Sequence, residues 1–133
     1  MTNVKDFLIK KSVMKHLLLF NTRDQLLRLD ISRVVYFEAD GNYTHVVAMN
    51  KLKTTIGATL ARTETALAQQ LGEQSRRFMR VGKRFIVNLD FVYSVDLAHQ
   101  RLVMSDMATF AFQLPVSKDA LRRMRELIVE ARV

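Results

Sequence analysis

Residues 76–84, Arg76-Arg77-Phe78-Met79-Arg80-Val81-Gly82-Lys83-Arg84, place five cations and no acid in nine positions. The apolar run Phe85-Ile86-Val87-Asn88 follows at once and reads as a buried strand, so the cations stand on an anchored loop rather than a loose tail. Clustered Lys and Arg on a fixed base form a phosphate-binding surface. Arg is also the side chain that reads a guanine edge with two hydrogen bonds, so the same loop can carry sequence information as well as affinity. Arg80, Lys83 and Arg84 are the leading candidates, while Arg76 and Arg77 read as solvated residues at a helix end.

Other chemistries find less support. Glu38 and Asp40 lie two apart, but nothing completes an acid/base pair; Asp40 is expected to build a turn and Glu38 to pair with a nearby cation. His16, His45 and His99 show no metal-ligand spacing, and the absence of cysteine excludes disulfides and thiolate zinc sites. With no nucleophile beside a base and no Gly-rich phosphate loop, the chain is not expected to be an enzyme, nor to need a cofactor or metal.

The composition points the same way. A chain of 133 residues, 49% hydrophobic, is one domain's worth of sequence with enough apolar content for a core. Its net charge of +8 favours a polyanionic partner. Residues 1–66 carry 10 basic and 6 acidic groups and residues 67–133 carry 11 and 7, so each half is +4 and the excess is not a tail effect. Apolar runs such as Leu17-Leu18-Leu19-Phe20 fall far short of the roughly 20 residues of a membrane span. Lys5, Lys10, Lys11 and Lys15 interrupt the N-terminus, leaving no signal-peptide core. A soluble, cytoplasmic protein is expected.

The elements that must position the cations read mostly as strands. Residues 17–20 and 26–29 flank the polar connection Asn21 to Gln25, and residues 34–39 and 44–49 flank Asp40-Gly41-Asn42, where Asp-Gly signals a hairpin. Further strands are expected at 52–56, 85–87, 91–95, 101–104 and 109–114, giving an all-β core. Two helices interrupt them. In residues 58–71, Leu60, Leu67 and Leu71 share a face and Gly72 supplies the stop. Ser117 caps a second helix with an apolar stripe of Ala120, Leu121, Met124, Leu127 and Ile128, and Pro115 ends the strand before it. Residues 4–11 suit either an added strand or a short amphipathic helix.

Three stretches then carry a resemblance. Val35-Tyr36-Phe37-Glu38-Ala39-Asp40-Gly41-Asn42-Tyr43, Arg80-Val81-Gly82-Lys83-Arg84-Phe85-Ile86-Val87-Asn88 and Leu114-Pro115-Val116-Ser117-Lys118 have the order and spacing of the LytTR DNA-binding domain. The sequence resembles that family from about Leu17 to the C-terminus. The resemblance implies a bacterial transcription regulator with a mainly β, elongated antiparallel fold and two short helices, whose loops enter successive major grooves of double-stranded DNA. It divides the chain into an N-terminal extension, residues 1–16, and a DNA-binding domain, residues 17–133.

Carried over by position, the resemblance implies base-reading roles for Thr44 and His45, for Lys83 and Arg84, and for Ser117 and Lys118. Gly82, Lys83 and Arg84 stand where the commonest family pattern has a His, a basic residue and a Ser. Lys118 and Arg122 open the last helix, whose positive dipole end favours phosphate, while Arg123 and Arg125 read as solvated. Family members usually follow a receiver domain, for which this length leaves no room. If the chain is whole, control is expected from expression, dimerisation, a regulatory protein partner or residues 1–16. An RNA-binding or protein-interaction β module is the alternative reading, although strands rich in base-stacking aromatics are missing.

Overall fold

A computed structural model describes residues 3–10 and 16–132. After a short helix α1 (Val4–Lys10), the hairpin β1 (Leu17–Asn21) and β2 (Leu26–Asp30) pairs in antiparallel register from Leu17 opposite Asp30 to Asn21 opposite Leu26. Next come β3 (Val34–Asp40), β4 (Tyr43–Ala48), β5 (Lys53–Ile56), the helix α2 (Leu60–Leu71), β6 (Phe78–Val81) and β7 (Phe85–Asn88). These five strands make one antiparallel sheet in the order β5-β4-β3-β7-β6. The strands β8 (Val92–Asp96), β9 (Arg101–Ser105) and β10 (Ala111–Pro115) form a third, three-stranded sheet, and α3 (Lys118–Ala131) ends the described chain.

Strand β3 is buried on both faces, because it lies at the centre of a sheet covered on each side. On one side Val34, Phe37, Val46 and Ile86 meet Leu18 and Phe20 from the first hairpin, Ile31 from the 3₁₀ turn after it, and Leu60, Leu67 and Leu71 from α2. On the other, Val35, Tyr36, Val47, Phe85 and Val87 meet Leu102, Met104 and Leu114 from the third sheet and Ala120, Leu121 and Met124 from α3. Val35 and Tyr36, adjacent in sequence, enter the same core because the register slips between Val34 and Tyr36 where β3 pairs with β4. Both cores therefore contain helical residues, which corrects the expectation of an all-β core within a mainly β fold.

Local chemistry fixes the element ends. Thr59 accepts the Arg62 amide at 3.2 Å to start α2, and Gly72, at φ +54°, terminates it. The side-chain amide of Gln70 both accepts from and donates to the Leu19 backbone at 2.8 Å, so α2 joins β1 as a neighbouring strand would. Asn88, fully buried, donates to the Val34 carbonyl at 2.8 Å and accepts from the Asp90 amide at 3.0 Å, tying the end of β7 to the start of β3.

Two readings needed revision. Residues 76–84 are not one loop: residues 72–77 are a 3₁₀ helix, Phe78–Val81 is the edge strand β6, and only Gly82-Lys83-Arg84 turns. In the β3–β4 hairpin Asp40 pairs directly with Tyr43, so Gly41 and Asn42 are the central turn residues. Only Gly41, at φ +58°, is left-handed there, the pattern of a II′ rather than an Asp-Gly turn. Of the two forms open to residues 4–11, the helix is the one seen over Val4–Lys10.

Candidate nucleic-acid interface

Antiparallel pairing brings the candidates on β4 and in the 82–84 turn to one end of the central sheet. Because Glu38 lies opposite His45 on one side and Phe85 on the other, the 40–43 hairpin tip and the 82–84 turn emerge together. The Ala39 amide donates to the Arg84 carbonyl at 2.8 Å and joins them directly.

Arg80 builds the turn from beneath. Strand alternation points Val81 and Met79 at the core shared with α3, and sends Phe78 and Arg80 to the α2 side. There the Arg80 guanidinium donates to the carbonyls of Gly82 (3.2 Å) and Lys83 (3.1 Å), and pairs with Glu64 of α2 at 3.4 Å. Gly82 supplies the φ of +62° that lets the chain reverse in three residues. Arg80 is thus tied to the protein, whereas Lys83 stands exposed with no hydrogen bond or ion pair for its ammonium.

Arg84 is neither free nor buried. Its Nε donates to Glu38 Oε2 at 2.8 Å, Nη2 pairs with the same oxygen, and its guanidinium carbon lies 5.1 Å from the centre of the Phe85 ring. Glu38 accordingly has the cationic partner expected from sequence. Asp40 has a separate partner: its carboxylate meets His45 Nε2 at 2.8 Å, while His45 Nδ1 meets the Thr55 hydroxyl at 2.9 Å. Both ring nitrogens are engaged, and the His45 side chain is mostly covered.

Thr44 requires a correction. It is fully buried, its hydroxyl donating to the Ala58 carbonyl at 2.8 Å and accepting from Thr63 at 3.5 Å. In this fold it faces α2 rather than solvent, and of its two neighbours only Tyr43 is exposed.

The start of α3 is built as the sequence suggests at its cap. Ser117 Oγ accepts the Ala120 amide at 3.3 Å, which engages one acceptor site of the hydroxyl and leaves its O–H to donate. Ala120, Arg123 and Leu127 line an open cleft against Met79, Val81, Gly82 and Lys83. Arg122 lies about 200° round the helix from Ala120, on the face it shares with Lys118, and pairs with Asp119 at 3.3 Å. The cation that faces the turn is therefore Arg123, which the sequence reading left to solvent. Glu64 and Thr55 were also missed; nothing local marks residues whose partners lie 16 and 10 positions away.

Among the described residues, no group of three or more His, Cys, Asp or Glu could hold a metal ion, and no helix is long and apolar enough to cross a membrane. Comparison with known families matches residues 24–129 to the LytTr DNA-binding domain. Among solved structures, the LytTr DNA-binding domain of a Bacillus cereus protein aligns with a TM-score of 0.59 and 25% identity, covering 85% of this chain and 96% of that one. Comparison with curated proteins gives no match.

Proposed function

This chain belongs to the LytTR family of DNA-binding domains of transcription regulators, and we propose that it reads duplex DNA sequence-specifically for a bacterial regulator, through loops placed in the major groove. The observation that carries the reading is the 82–84 turn: two cationic side chains presented outward on a backbone that Arg80 and Ala39 hold in place. A fixed turn presents its charges to a phosphate backbone without first ordering a loop, so little conformational entropy opposes binding.

Lys83 and Arg84 form the centre of the contact surface and His45 flanks it. Ser117, Lys118 and Arg122 at the capped start of α3 add a second contact, where the helix dipole favours phosphate. Arg80 supports the turn rather than touching DNA, and Arg123 extends the surface along the cleft.

About five phosphate contacts give a log-log slope of affinity against salt near −4 to −5. Fluorescence anisotropy with a labelled duplex across a salt series measures it. A flat salt response, or no binding to any duplex at low salt, overturns the reading.

A further inference from the structure

We propose that Glu38 is a positioning residue that aims Arg84 at a guanine edge, leaving phosphate contact to the neighbouring Lys83. This division of labour rests on the duplex-DNA reading above. The Arg84 guanidinium is held by Glu38 Oε2 at Nε and Nη2 and by the Phe85 ring 5.1 Å away, on a backbone fixed by its carbonyl accepting from Ala39. Glu38 is itself fixed, because its strand position is paired on both sides and its side chain is only 18% exposed.

Arginine carries five donors in a rigid plane. Glu38 takes the Nε edge, and the opposite edge, formed by Nη1 and the remaining Nη2 hydrogen, is left for a ligand on a side chain that is 57% exposed. That edge matches the paired acceptors O6 and N7 of guanine. A carboxylate against Arg84 cancels much of the attraction that a phosphate would feel, yet leaves the directional donors in place. Lys83 has the reverse character, with full charge and no fixed direction. Glu38 also repels phosphate from the reading position, which disfavours misplaced registers.

The test uses a duplex selected from a random pool and a scrambled control. Anisotropy over a salt series compares the unaltered chain with Glu38→Gln, Arg84→Ala and the double variant, each shown to be folded by thermal melting. Glu38→Gln is expected to bind the scrambled duplex more tightly, with a slope steeper by about 0.9 as Arg84 gains a phosphate. Its preference for the selected duplex should fall by between about fivefold and about a hundredfold. In the Arg84→Ala background the Glu38 change should alter neither the salt slope nor the preference, leaving only a sequence-independent gain in affinity from the removed carboxylate charge. If Glu38→Gln is unfolded, Glu38→Asp, which keeps the charge but withdraws it by one methylene, is read by its preference alone, which should fall in the same range. An unchanged preference, or an equal effect with and without Arg84, overturns the proposal and leaves the pair as a structural brace. Loss of all duplex binding by the unaltered chain overturns the DNA reading itself.

Discussion

Thr44 and His45 are adjacent, yet strand alternation sends them to opposite faces of β4. Thr44 points toward α2 and bonds Ala58, while His45 joins Asp40 and Thr55 on the other face. Motif spacing located both positions but not their direction, because which face of a strand is covered depends on where a distant helix packs. The partner of Glu38 was easier to foresee, since a half-covered carboxylate near a cationic turn needs a counter-charge. The difference is testable at Thr44. Thr44→Val keeps the shape and deletes the hydroxyl, leaving the Ala58 carbonyl without its donor, and should cost about 1–3 kcal/mol in urea unfolding. Affinity of the folded variant for a selected duplex should stay within about twofold of the unaltered chain. Lost affinity at undiminished stability would instead assign Thr44 to the DNA.

At the scale of elements, apolar alternation made most strands legible, a shared apolar face and the Gly72 stop made α2 legible, and the Ser117 cap made α3 legible; the Thr59 cap that starts α2 was not read. Strand β6 escaped because its alternation was short and masked by charge. Phe78 and Arg80 face α2 while Met79 and Val81 face the other core, a period of two that four residues barely display. The stripe on α3 was legible as a pattern but not in extent. Ala120, Leu121 and Met124 are buried, whereas Leu127 is 53% and Ile128 39% exposed. The two halves of the helix should respond differently to truncation. Met124→Ala opens a cavity in the core and should cost about 2–5 kcal/mol, while Leu127→Ala should cost less than about 1 kcal/mol. Equal losses in urea unfolding would show that the C-terminal half of α3 is packed as tightly as the first.

For the whole molecule, the limiting quantity is how much sequence one copy can read. On the proposed reading, the 82–84 turn, the hairpin tip and the start of α3 would together reach only a few base edges, and each well-made contact contributes about 1–3 kcal/mol of discrimination. A genome offers about 10⁶ or more competing sites, so one copy's preference is spread too thinly to select a target. Two copies on one duplex multiply their preferences, provided both reach the same side of the helix. Half-sites separated by one helical turn, about 10–10.5 base pairs, or a multiple of it meet that condition. The expected result is two protein molecules per selected duplex, bound cooperatively. Inserting five base pairs between the half-sites rotates the second copy to the opposite face and should abolish cooperativity, whereas inserting ten should largely restore it. Mobility-shift titrations on the three duplexes measure this directly. A single copy holding one half-site with full affinity, indifferent to the spacing, would show that the module selects its target alone.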